Sequence, residues 1–161
     1  MSGDAAPRAR DAYRHWLDVG LRYNDTDRQG HVNNVAFATF CEQGRADFLL
    51  GAQAPAMPAG ASFVLARICV DYLREVFWPG TVSVGTGMLG VGRSSMRLAQ
   101  AMFVGEACVA TATSVIVLVD AGGRPTAWPQ AARELAGRAS GSSPLPESGC
   151  PAQGSPLESD A

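Results

Sequence analysis

The densest polar stretch of the chain is Asp25-Thr26-Asp27-Arg28-Gln29-Gly30-His31-Val32-Asn33-Asn34, which gathers carboxylates, an imidazole and side-chain amides. It contains turn-forming residues and runs straight into an apolar pattern of helical period, so it reads as a loop ending at a helix N-terminus. Such a terminus has unsatisfied backbone N–H groups and a partial positive charge, which stabilise an anion or polarise a carbonyl. A carboxylate beside it can attack that carbonyl, or deprotonate a water that does so, with the helix N–H groups as oxyanion hole. Taken alone, Asp27 is an Asx-turn residue sooner than a catalyst, and His31 is a histidine bonded to a backbone carbonyl. Asn33 and Asn34 are caps at the least. The complete motif is what favours chemistry at Asp27.

The elements that must position this stretch follow from periodicity. His15 to Asn24 alternates as a strand, with Trp16, Asp18 and Arg22 on one side and Leu17, Val19, Leu21 and Tyr23 on the other. From Asn34 to about Leu50 the period changes, and Phe37, Phe40, Cys41, Gly44 and Phe48 form one helical face. Gly44 on that face predicts a close approach to a neighbouring backbone, since glycine costs about 1 kcal/mol against alanine within a helix. Glu42 and Arg45 are expected on the polar side as an i,i+3 pair. Ser62–Val76, Thr81–Val91, Ser94–Val104 and Ala107–Asp120 read as strands separated by short turns, which predicts an antiparallel meander. Trp128–Arg138 reads as a closing helix with Pro129 near its start.

Residues 1–14 are thus an N-terminal extension, 15–138 one α+β domain, and 139–161 a flexible tail rich in Ser, Gly and Pro. A length of 161 residues fits one domain with one core. A hydrophobic share of 47% against 17% charged residues is globular rather than disordered. The formal net charge of -2 gives no basic field for a nucleic acid. All 13 basic side chains are arginine, which excludes lysine Schiff-base chemistry. Cys41, Cys69, Cys108 and Cys150 have no zinc-ligand spacing and are expected reduced, so neither metal nor cofactor is expected. No secretory signal or membrane span is legible, and a cytoplasmic location with no membrane partner is the expectation.

The pattern Arg22-Tyr23, Asp25, Asp27, Gly30-His31-Val32-Asn33-Asn34, followed by Phe37, Phe40, Glu42 and Arg45, resembles hot-dog thioesterases of the 4-hydroxybenzoyl-CoA thioesterase type. Asp71-Tyr72-Leu73-Arg74-Glu75-Val76 and the Gly92-Arg93-Ser94-Ser95 turn are similar too, so the resemblance covers roughly residues 16–135. It implies the hot-dog fold, a curved antiparallel sheet wrapped around a long central helix, and a homodimer or homotetramer with sites at the protomer interface. It implies acyl-CoA, or an acyl carrier protein thioester, as substrate. Asp27 would act as nucleophile or general base, His31 and Asn33 would orient the site or assist the water, and amides near Asn34 and Val35 would hold the thioester oxygen. Phe37 and Phe40, with Ala36 and Val64, are candidate pocket residues; Arg93 and Ser94, with Arg97 and Arg124, are candidates for the CoA side. Plant acyl carrier protein thioesterases carry Asn where Gln29 stands here.

A carboxylate suits thioesters because a thiol with a pKa of about 8.5 leaves far more readily than an alcohol or amine. Neither a Ser-His-Asp triad nor a metal is then needed. Two alternatives stand beside hydrolysis. A hot-dog hydratase or dehydratase resembles a pattern with Asp and His one residue further apart than Asp27 and His31. A non-catalytic acyl-binding module would keep the fold without the activity, which the intact Asp27 motif argues against.

Overall fold

The computed structural model describes residues 6–51, 54 and 57–139, with side chains to Glu134. The proposed tail therefore lies, from residue 140 on, outside the described residues. Five strands and two α-helices appear in the order β1 (His15–Gly20), α1 (Asn34–Leu50), β2 (Ser62–Tyr72), β3 (Thr81–Val91), β4 (Ser95–Val104), β5 (Ala107–Val119) and α2 (Gln130–Ala139). The strands form one antiparallel sheet in the order β1-β3-β4-β5-β2, curved against α1, which is the expected hot-dog α+β architecture.

The meander holds only for β3, β4 and β5. β2 pairs with β5, Tyr72 opposite Ala110, and β3 pairs instead with β1, Thr81 opposite Gly20. Residues 73–80 are thus a crossover rather than a hairpin, and include a cis Trp78-Pro79 bond. Its start is tied down by the Leu73 and Arg74 N–H groups, which both donate to Val109 O. The first strand also stops earlier than its alternation suggests. At Arg22 the backbone N–H donates to Asp25 Oδ2 at 2.8 Å, and the chain turns into a short 3-10 segment, Tyr23–Asp25.

Cross-strand partners share a face, so the register assigns the two sides. Leu17, Val84, Met102 and Ala110 form one row facing α1, where Phe37, Phe40 and Cys41 bury the helix stripe. Gly44 does make a close approach, but to side chains rather than to the neighbouring backbone that was expected: a Cβ there would lie 2.8 Å from both Val84 Cγ1 and Gln100 Nε2. Gln100, fully buried on β4, donates Nε2 to Cys41 O at 3.0 Å and to Thr86 Oγ1 at 3.1 Å, so it ties helix to sheet. Arg45 corrects the reading of the polar side. One turn after Cys41, it falls on the buried stripe and donates Nη1 to Gln100 Oε1 at 3.4 Å, while Glu42 stays exposed. Burial pushes the Arg45 guanidinium pKa down and the Cys41 thiol up to about 12. Further along α1, Asp47 Oδ2 meets His15 Nε2 at 2.8 Å and fixes β1 to the helix.

Beyond Leu49, a second cluster of Met96, Leu98, Ile116, Leu118 and Trp128 closes the other end under α2. Cys41 and Cys108 are free thiols as expected, whereas Cys69 is disulfide-bonded. Among the described residues no helix is long and apolar enough to cross a membrane.

Candidate active site

Residues 26–32 fold back as a tight hairpin between β1 and α1. Thr26 bridges Val32, the Asp27 N–H donates to His31 O at 2.8 Å, and the Gly30 N–H donates to Asp27 O at 3.1 Å. Gly30 closes this turn at φ +85, in the left-handed region that favours glycine. The hairpin rests on two supports. Asp25, buried at 6% exposure, accepts from the Arg22 backbone and guanidinium and gives its carbonyl to the Asn33 N–H at 2.7 Å. The crossover supplies the other, as the Val32 N–H donates to Val76 O at 2.7 Å.

Asp27 is exposed at the hairpin tip and makes the Asx turn its residue type favours. Its Oδ1 accepts from the Gln29 N–H at 2.8 Å and the His31 N–H at 3.3 Å. Its Oδ2 takes no hydrogen bond from the described residues, so one oxygen anchors the carboxylate and the other is available. Asn33 caps α1, with Oδ1 accepting from the Val35 N–H at 2.9 Å. That bond occupies the Val35 amide expected to hold a thioester oxygen, and leaves the Asn34 N–H without a partner among the described residues.

The His31 ring packs against the crossover. Its Nε2 lies 3.7 Å from Glu75 Oε1, and its ring meets Phe77 edge-on at 5.0 Å. Glu75, Phe77 and Tyr72, whose hydroxyl donates to Asn34 O at 3.2 Å, are site neighbours that the motif alone does not point to. Their signal lay in the 71–76 stretch and the Phe77-Trp78 pair, which periodicity reads as strand and turn. Phe37 and Phe40 are buried beneath the helix start and Val35 is exposed beside it. Arg93 and Ser94 do not join this cluster within one protomer: their carbonyls accept from Trp128 and Leu118 N–H groups at the α2 end. Seventeen residues of α1, about 25 Å of helix, separate the two ends. Among the described residues no group of three or more His, Cys, Asp or Glu could hold a metal ion.

Residues 21–136, which include the whole hairpin, both its supports and every strand after β1, match the family described as the thioesterase-like superfamily. The chain belongs to this superfamily. Among solved structures similar to this thioesterase-like chain is a Thermus thermophilus thioesterase complexed with coenzyme A and Zn. It is 32% identical over 81% of this chain and 97% of that one, with a TM-score of 0.69. The PA5185 protein of Pseudomonas aeruginosa PAO1 is 25% identical, covering 88% of this chain and 97% of that one at a TM-score of 0.71. A DHNA-CoA thioesterase from Staphylococcus aureus shares the fold at 21% identity and a TM-score of 0.62, over 70% of this chain and 78% of that one. A comparison with curated protein sequences finds no match.

Proposed function

We propose that this thioesterase-family chain hydrolyses an acyl-CoA to the free acid and CoA, with Asp27 as its catalytic carboxylate. The observation that carries the reading is the state of the Asp27 side chain. One oxygen is held by two backbone N–H groups, the other is available, and the unpaired Asn34 amide lies at the helix start that follows. A thioester carbonyl polarised by that amide and by the helix terminus would meet either the carboxylate itself or a water it deprotonates. The His31 imidazole, set against Glu75 and Phe77, braces the hairpin, while the His31 backbone is what bonds Asp27. Phe37 and Phe40 belong to the apolar core beneath the helix start, beside which an acyl group would rest, and CoA fits the family, one similar structure having been solved with it. Arg93 and Ser94 sit too far along the protomer to share this pocket, so a CoA role for them requires a partner subunit. A homodimer joined along the sheet edge at β2 provides one.

Asp27→Asn is the clean test, because asparagine supports the same Asx turn and removes only the charge. Free-thiol release from short, long and aromatic acyl-CoAs should fall by about 10²- to 10⁴-fold, the usual contribution of a positioned acid or base. A loss smaller than tenfold in a folded Asp27→Asn variant would remove Asp27 from the mechanism.

A further inference from the structure

The region matching the superfamily begins at residue 21, yet residues well before it are buried. Ala6 and Tyr13 are 3% and 4% exposed and lie on the outer face of the sheet, the side away from α1. There they cover Ala99, Ala101 and Phe103, with Trp16, Leu89 and Cys108 around them. The register puts Trp16, Gly85 and Ala101 in one outward row, so the small Gly85 and Ala101 leave room for the segment beside Trp16. The fit is close: a Cβ on Gly85 would lie 2.9 Å from Tyr13 Cβ and from Trp16 Cη2.

Two fastenings hold the segment. Tyr13 Oη donates to Pro7 O at 2.8 Å and staples its two ends, and burial pushes that phenol's pKa up. Arg10 stacks over Trp16 at 4.4 Å and Phe103 at 5.3 Å, and donates Nη1 to Gly105 O at 3.2 Å. Arg8, Arg10 and Asp11 meanwhile face solvent. The segment thus exchanges an apolar sheet face for a charged one.

We propose that residues 6–13 are an intramolecular cap that keeps the outer sheet face from packing against a second copy of the chain. Uncapped, Trp16, Leu89, Ala99, Ala101 and Phe103 would form a contiguous apolar patch of the kind that monomer surfaces rarely leave open. A second copy is the occupant this face fits, because an apolar sheet face on which Gly85, Ala99 and Ala101 leave room for a neighbour can pack isologously on its own equivalent. The cap occupies that space.

The test compares solution mass by sedimentation equilibrium for the full chain, a chain lacking residues 1–13, and Gly85→Ala, whose methyl group lifts the cap without deleting it. The truncated chain should double the mass of the full chain, whatever that mass is, and a peptide of residues 1–14 should reverse the change. A truncated chain with native circular dichroism and the mass of the full chain overturns the proposal. If truncation prevents folding, Gly85→Ala decides. Faster tryptic cleavage at Arg8, Arg10 and Arg14 reports the released cap, and a doubled mass then supports the proposal. A released cap with unchanged mass overturns it, as does a cap that stays protected. Thiol release by the same samples keeps the question separate from the activity of the Asp27 site, which lies on another part of the molecule.

Discussion

Asp25 and Asp27 are separated only by Thr26, yet their carboxylates meet different surroundings. Burial alone would raise the Asp25 pKa, but the side-chain and backbone hydrogen bonds of Arg22 and its charge outweigh this and hold it below the ordinary carboxylate value. A group depressed on folding adds stability above its unfolded pKa, about 3.9 for aspartate, and that contribution is lost as pH falls through the folded value. Asp25→Asn should therefore lower the melting temperature by a constant few degrees at neutral and mildly acidic pH. The gap to wild type should narrow below about pH 4. Melting curves across that range check it, and a gap that persists unchanged in strong acid would show that the charge of Asp25 is not what holds the turn. At Asp27 the same residue type sits in the open with one oxygen unbonded among the described residues, so local surroundings separate a structural aspartate from the one proposed to react. Sequence alone could place both in one motif. It could not show that His31 turns to Glu75, because that depends on a crossover more than forty residues away.

The contact between α1 and the sheet turns on a missing methyl group. Gly44→Ala would push a Cβ into Val84 and Gln100 at 2.8 Å. Gln100 cannot easily give way, since it holds Cys41 and Thr86. Overpacking costs about 1–3 kcal/mol, while alanine returns about 1 kcal/mol of helix propensity, so a net loss of up to about 2 kcal/mol is expected in urea denaturation. A variant as stable as wild type would mean the interface has slack. This helix was legible in the sequence to its end residues, Asn34 and Leu50, because a stripe of period 3.6 and an asparagine cap are local signals. β3 matched as well, since strand-forming residues between turn residues at both ends are also local signals. The partner of β2 was not legible: two strands joined by eight residues look like a hairpin, and only the register of distant chain shows that β5 takes the place of β3. Arg45 misled because a charged side chain is read as exposed, whereas its position one turn from Cys41 buries it.

For the molecule as a whole, the sheet has two edges, β1 and β2, and they are unequal. β2 is eleven residues long and shows Val64 and Leu65 to solvent at 47% and 46% exposure. A long apolar edge is a template for another strand. On the homodimer reading, Val64→Lys should halve the mass measured by light scattering and reduce thiol release together with it. An unchanged mass would move the protomer contact away from β2.

The strand order also bears on how the chain comes into being on the ribosome, where the N-terminal end emerges first. β1 finds its partner in β3 and β2 finds its partner in β5, so among the described residues of the first 72, almost half the chain, no two strands pair with each other. Helix α1 can wind as it emerges, but its apolar stripe has no sheet to meet until β3 arrives. The nascent protein must carry its Asp27 hairpin and bare helix face through nearly half of its synthesis before the meander of β3, β4 and β5 receives them.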